Sequence, residues 1–419
     1  MHFLGKSVVL ALLLVTSLAM GQDSRLSVKG FVSFKLFDSN GQESWLTGGG
    51  GKLPAGGDDG ELGLGRVHLS ATWEPNLYFQ AHVHGIGRLD PDEYEGDAFG
   101  ITEAFVQARA FAGDRDRFRF RLGFFFPPTS MENIDDLWVS PFTLSLSALN
   151  SWVGEEVRWT GLDVAYTHEF SEERVFFAGG TLFGGNDSVG ALLAWRGWAL
   201  GERLSVYDEV LPLPDLQELS QNGFFGLQRD DGTLPFSEDL DGRPGYALRL
   251  GLDLAGDVVV QLNHSDNQGD RQLYRGEYAW DMTFWSAGFQ WLPDDYWHFA
   301  GEYLDGESGM GDPAGPHVQF DMETWYLLTS AAYGSWRGTV RYDDFSLVDR
   351  DRFAVPVNVG PNDEEGDALT VALFWVPHPS WRFGLEWLTL DAVRKLVLTQ
   401  GNATVVGGDL WSLEARYIF

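Results

Sequence analysis

The segment Arg117-Phe118-Arg119-Phe120-Arg121-Leu122 limits the fold more than any other part of the chain. A cation alternates with a large apolar side chain, the two-residue period of a strand whose faces meet different surroundings. The same period runs through the C-terminus. There Trp411, Leu413, Ala415, Tyr417 and Phe419 share one face, and Ser412, Glu414 and Arg416 the other. It recurs where Arg337, Thr339, Arg341 and Asp343 alternate with Gly338, Val340 and Tyr342. A soluble sandwich alternates too, but seldom needs arginine at every second position of a strand. A transmembrane antiparallel barrel does suit the pattern, with an apolar outside, aromatic rims and a polar lumen.

Composition removes the main competitors. Asp and Glu number 61 against 29 Lys and Arg, a net charge of −32, which argues against a nucleic-acid partner. With no cysteine in 419 residues there are no disulfides, thiolate metal sites or cysteine nucleophiles. A mean hydropathy of −0.16 does not fit a helical membrane protein, and 14% aromatic residues do not fit a disordered one.

Lys6 precedes an apolar run from Val8 to Met20, with small Ala19 and Gly21 before Gln22-Asp23. This reads as a secretory signal peptide over 1–21, too short to span a bilayer as a helix. Residues 22–419 are then one exported domain. Strands are expected near 25–37, 61–73, 76–87, 100–111, 117–126, 159–170, 174–184, 188–197, 200–207, 244–254, 257–266, 278–291, 295–304, 322–333, 335–346, 367–376, 380–390 and 409–419. That makes about eighteen, with sixteen also compatible and 200–207 the weakest. Short turns such as Glu74-Pro75-Asn76 and Tyr333-Gly334-Ser335 alternate with long connections near 38–60, 88–99, 127–158, 208–243, 305–321, 347–366 and 391–408. Short periplasmic turns and long external loops are the asymmetry of an outer-membrane barrel. Only 185–187 breaks the rule, being short where a long loop is due. Aromatic residues near expected strand ends, Trp73, Tyr78, Trp291, Tyr296, Trp297, Trp375, Trp381 and Trp387, read as membrane-interface girdles.

Taken together, the signal peptide, the alternation and the terminal Trp411-Ser412-Leu413-Glu414-Ala415-Arg416-Tyr417-Ile418-Phe419 make the chain resemble a Gram-negative outer-membrane porin. The resemblance implies that Trp411, Tyr417 and Phe419 belong to a signal read by the barrel-assembly machinery. It also implies a homotrimer among outer-membrane lipids and lipopolysaccharide, and a third long loop folded into the lumen. Gly123-Phe124-Phe125-Phe126-Pro127-Pro128-Thr129-Ser130-Met131-Glu132-Asn133 is similar to the stretch entering that loop in phosphate-selective porins of the O/P type. The lysine-rich walls of that type are not matched; lysine occurs only at 6, 29, 35, 52 and 395.

Strand parity and the resemblance together place a constriction. Arg66, His68, His82, His84, Arg109, Arg117, Arg119 and Arg121 form a basic wall, and Glu132, Asp135, Asp136, Glu155 and Glu156 an acidic loop opposite. Such a pair sets a transverse field that orients dipolar solutes and sets ion preference. The same charges would equally serve as loop anchors, Arg158 and Glu155 among them. The expected function is passive diffusion of small hydrophilic solutes or ions, with no catalytic residue, metal or cofactor. The net charge favours cations and the arginine wall anions. Two alternatives stay open: a lipid hydrolase, and a non-conducting adhesin or scaffold. His264-Ser265-Asp266-Asn267 holds the residue types of a hydrolase, but neighbours on a strand face opposite ways. Acidic clusters such as Asp90, Asp92, Glu93, Glu95 and Asp97 offer hard oxygens for calcium but lack the ligand spacing of an EF-hand loop.

Overall fold

The computed structural model describes residues 25–419 except 48, 58–64, 89–98, 136, 214–218, 220–222, 224, 229–231, 235–238, 352–361 and 395–405. The expected signal peptide and the acidic cluster at 90–97 lie outside the described residues.

Sixteen antiparallel strands close into one cylinder. They are β1 (Arg25–Ser39), β2 (Arg66–Asn76), β3 (Phe79–Arg88), β4 (Phe99–Ala112), β5 (Asp116–Phe125), β6 (Trp159–Ser171), β7 (Arg174–Gly184) and β8 (Gly245–Leu254). The second half is β9 (Val258–Asp266), β10 (Asp281–Trp291), β11 (Trp297–Gly311), β12 (His317–Tyr333), β13 (Trp336–Asp349), β14 (Glu364–His378), β15 (Trp381–Arg394) and β16 (Gly408–Ile418). Each strand pairs with its sequence neighbours, and β16 returns to β1 with Ile418 opposite Phe31. Closure leaves no unpaired edge, which a hydrocarbon surrounding requires.

The closing seam is clipped twice. Gly30 N–H donates to Phe419 O at 3.0 Å, and Phe419 N–H to Gly30 O at 2.9 Å. Position 30 must be glycine for this approach, because a Cβ there would lie 2.4 Å from His68 O and 2.8 Å from the Phe419 ring.

Outward positions carry exposed apolar side chains all round, among them Leu122, Leu182, Leu248, Leu327, Leu373 and Leu413. Holding one such side chain in water rather than hydrocarbon costs on the order of 1.5–3 kcal/mol. A ring of them exceeds the ~5–15 kcal/mol that stabilises a soluble domain. The outer face is therefore built for lipid. At the turn end the rim is aromatic: Trp336 stacks on Trp375 at 5.9 Å, and Trp381 on Phe383 at 5.9 Å. Trp73, Tyr78, Trp291, Tyr296 and Trp297 also sit at that end, as expected. Trp387 does not; it faces Trp411 in mid-strand.

Two expected strands are absent. Residues 188–197 and 200–207 belong to a single connection, 185–244, that folds into the lumen. It carries the short helix α2 (Ala191–Trp195), which we number after α1 (Ala148–Glu156) of the third loop. The alternation of Val189, Ala191, Leu193 and Trp195, and of Leu204 and Val206, comes from packing inside the cylinder, not from a strand at its wall: all six are buried. With these two strands removed, the short link at 185–187 becomes the start of a long loop and the alternation of turns and loops is regular. The expected loop at 305–321 shrinks to 312–316, because β11 and β12 run on beyond the apolar belt. Their outward acids, Asp305 opposite Glu323 and Glu307 opposite Asp321, made a strand look like a loop.

Candidate functional site

The third loop crosses the lumen. It leaves β5 and reaches β13, eight strands away in a ring of sixteen and so on the opposite wall. There Arg341 Nη1 meets Glu132 Oε1 at 2.6 Å and Arg341 Nε meets Asp343 Oδ2 at 2.8 Å, all buried. Arg341 also donates to Ser145 O at 2.7 Å and Leu146 O at 3.0 Å. Glu132 accepts from Ser147 N–H and Asn150 Nδ2, and Glu386 of β15 accepts from Leu144 and Ser145 N–H. Ser147 Oγ caps α1 by accepting from Asn150 N–H. These anchors hold the helix across the pore.

First and fourth loops stack on the third. Glu155 accepts from Trp45 Nε1 at 2.9 Å and pairs with Arg196 at 2.8 Å. Glu156 accepts from Trp152 Nε1 at 2.7 Å and from Gly190 and Leu192 N–H. Burial pushes its carboxyl up to about 7, although all three donors pull the other way. Lys52 bonds Glu364 at 2.7 Å and Trp198 O at 2.7 Å, and burial brings its amine down to about 8. Arg158 donates to Val157, Gly154 and Ser205 carbonyls and lies over the Phe126 ring at 3.4 Å. Around them, Trp152, Trp198, Trp280, Leu193 and Phe284 form one apolar core inside the barrel. Three loops thus make a plug at the loop end.

The expected acidic loop therefore divides. Glu132, Glu155 and Glu156 are buried staples of the plug and do not face the basic wall. Asp135 is exposed and within electrostatic range of Arg337 on β13. Asp136 lies outside the described residues.

The basic wall divides as well, although every member points into the lumen, as parity required. Its upper members are covered by the plug: Arg66 reaches Glu202 at 3.3 Å, and His68 Nδ1 lies 3.2 Å from His84 Nε2. The lower members line an open vestibule at the turn end. Arg109 meets Glu74 at 3.4 Å, Arg117 pairs with Glu169, and Arg119 meets Asp163 at 3.0 Å. Arg121 sits over Phe105 and Phe125, 4.4 and 5.1 Å from the ring centres, and His82 bonds Thr72 at 2.8 Å. A cavity of 430 Å³ opens there, lined by Lys29, Thr72, Glu74, Gln80, His82 and Arg121 among others. Above it, between Arg66, Arg416 and the third loop, lies a small void of 20 Å³, space for about one water.

Arg249, Arg341, Lys35 and Glu202 were not among the expected site residues. Arg249 lies 3.8 Å from Asp163 and extends the arginine group, and Lys35 pairs with Glu202 of the fourth loop. Alternation alone could have found Arg249, between outward Leu248 and Leu250. Glu202 left no such signal, since a loop residue has no parity. His264 faces outward, stacked on Trp285 at 4.3 Å, while Ser265 faces inward; the two cannot form a hydrolytic pair.

This is the architecture of Gram-negative outer-membrane barrels, porins among them. The chain is similar in fold to the outer-membrane channel DcaP of Acinetobacter baumannii, with TM-score 0.55 and 10% identity over 96% of this chain and 99% of that one. It is similar to an anion-selective porin from Comamonas acidovorans, with TM-score 0.52 and 13% identity over 95% of this chain and all of that one. A loop-deletion mutant of OmpT, an outer-membrane protein of Vibrio cholerae, gives TM-score 0.52 and 12% identity over 95% and 100%. No protein-family model matches the chain, and no curated protein sequence matches it.

Proposed function

We propose that the protein is a porin-type channel in the outer membrane of a Gram-negative bacterium, passing small hydrophilic solutes by diffusion and favouring anions. The observation that carries this reading is the arginine column of β5. The Arg119 side chain is 32% exposed to the lumen whereas that of its counter-ion Asp163 is 1% exposed, and Arg117 at 53% is more exposed than its partner Glu169 at 30%. Water in the vestibule meets guanidinium, and a charged ring of one sign selects the other. The protein's −32 is carried elsewhere, in part by outward acids such as Asp305 and Glu323. No covalent chemistry is needed. Of the proteins similar in fold, one is an outer-membrane channel and another an anion-selective porin, and this supports the reading. A homotrimer, and assembly through the terminal Phe419 signal, complete the proposal.

Passage requires the plug to yield or to leave a wetted path beside Arg66. Planar-bilayer recording of the purified full chain tests this. Stepwise conductance with a reversal potential on the anion side in a salt gradient is the expected result. Silence across both polarities would favour a scaffold or adhesin, and silence with release of fatty acid from lipid would favour a hydrolase.

A further inference from the structure

The fourth loop begins and ends at one place. Asp187 lies three residues beyond β7, and Asp239 and Asp241 lie just before β8. One carboxylate oxygen from each of these three residues lies within 4.8 Å of the other two. Oxygens bound to one Ca²⁺ at 2.3–2.6 Å are at most about 5 Å apart, so the spacing is that of a shared ion. Among the described residues, none of the three has an ion-pair partner, and the guanidinium of nearby Arg243 faces Asp270 at 3.9 Å.

A second observation is independent of the clustering. Asp187 is 0% exposed. Its Oδ2 accepts from Leu240 N–H at 2.5 Å and Asp241 N–H at 3.4 Å, but its Oδ1 is buried with no partner at all. A buried carboxylate oxygen left bare is costly, and it normally has a donor, a water or a cation. The other two carboxylates are pre-aimed by backbone donors. Asp239 Oδ1 accepts from Gly242 N–H at 2.6 Å, where Gly242 has φ +74°, and Asp241 accepts from Arg243 N–H at 2.8 Å and Asp270 N–H at 2.9 Å. Asp239 is exposed and Asp241 half-buried, so the cluster opens to the outside of the loop end.

The geometry points to a calcium site: we propose that Asp187, Asp239 and Asp241 bind one Ca²⁺ from the external medium and so tie together the two ends of the plugging fourth loop. Calcium fits better than magnesium. Its coordination is flexible and takes several carboxylates directly, whereas magnesium demands octahedral geometry and keeps its water. The site stands whether or not the lumen conducts.

The Trp280 backbone N–H donates to the Asp187 backbone carbonyl at 2.5 Å, which ties a tryptophan residue to this corner of the loop and makes it the natural energy donor for an optical probe. The experiment uses the full chain folded in detergent and stripped with a chelator. Terbium is added, its emission is excited through tryptophan, and calcium is then titrated in. We expect one saturable site per barrel, displaced by Ca²⁺ with an affinity of about 10⁻⁴–10⁻³ M, the range of extracellular modules. Protease cleavage within 185–244 should slow when calcium is added. Asp187→Asn should weaken binding by about tenfold or more, while Asp312→Asn in a separate acidic turn should leave it unchanged. If Asp187→Asn does not fold, as judged by heat-modifiable mobility, Asp239→Asn at the exposed rim carries the same expectation. The proposal is overturned by an absence of saturable binding, by calcium binding unchanged in both variants, or by displacement with magnesium at equal concentration.

Discussion

Arg341 on β13 and Glu132 on the third loop meet at 2.6 Å with neither side chain exposed, and this pair is the charged centre of the anchors that hold the loop to the wall opposite its origin. Removing one partner of a buried pair leaves an uncompensated charge and costs about 3–5 kcal/mol. Arg341 also donates to two loop carbonyls, so its loss removes those bonds as well. Arg341→Leu should free the third loop and leave the barrel closed, because the strand ladder does not depend on the guanidinium. Single-channel conductance should rise severalfold while heat-modifiable mobility is retained. Unchanged conductance would mean that the remaining plug contacts suffice.

Glu156 makes the plug sensitive to pH. Its carboxyl is raised from 4.5 to about 7 in the folded protein, chiefly by burial. Between those values the folded loop holds a proton that an unfolded loop has released. Plug stability therefore falls as pH rises from about 4.5 through 7, by up to about 3 kcal/mol. Protection of the Gly190 and Leu192 amides, whose N–H groups bond Glu156, should be lower at pH 8 than at pH 5 once the base-catalysed intrinsic exchange rate is divided out. Glu156→Gln should flatten this dependence; an unaltered slope in that variant would assign it to another group.

The barrel wall was legible because each strand has one face to lipid and one to the lumen, so parity alone placed Arg66, His82, Arg119 and Arg341 inward. The plug was not legible for the converse reason. Glu155 and Glu156 looked like lumen-facing acids, yet both turn into the plug, Glu155 toward the first and fourth loops and Glu156 toward the fourth, which only the tertiary fold decides. Segments 188–197 and 200–207 imitated strands because Val189, Ala191, Leu193 and Trp195, and then Leu204 and Val206, fill an apolar core enclosed by the cylinder. A second dry core inside a barrel produces the same apolar alternation that a lipid face does. Asp187 was invisible for a third reason: its partners lie some fifty residues away across a loop.

Phe419 closes the cylinder with two backbone bonds to Gly30, and its ring lies against that glycine. Each bond is worth about 0.5–1.5 kcal/mol net, a modest loss to a finished barrel. The larger effect should fall on assembly, since the last ladder to form joins β16 to β1. Deleting Phe419 should lower the heat-modifiable fraction after refolding while leaving the melting temperature of the folded fraction almost unchanged. A large drop in melting temperature with normal yield would make the residue a stabiliser of the finished barrel instead. Gly30→Val, which drives a side chain into the same space, should lower the yield in the same way.

Arg119 offers the sharpest test of ion preference. Its guanidinium is the lumen-exposed partner of buried Asp163, with Arg249 on the far side of that carboxylate at 3.8 Å. Arg119→Gln removes one vestibule charge, and Arg119→Glu reverses it and sets two carboxylates side by side. Near-surface charges interact with a permeating ion at an effective dielectric of about 20, where one unit charge at 4 Å is worth about 4 kcal/mol before salt screening. Screening by physiological salt over a Debye length of about 8 Å reduces this, so the shift should be larger at low ionic strength. The reversal potential in a potassium chloride gradient should move stepwise toward the cation side, from wild type through Arg119→Gln to Arg119→Glu. Arg341→Leu, whose charge is hidden under the plug, should raise conductance without an equal shift. If Arg119→Glu left the reversal potential where it was at low salt, the arginine column would be a structural feature of the wall and ion selection would lie elsewhere in the lumen.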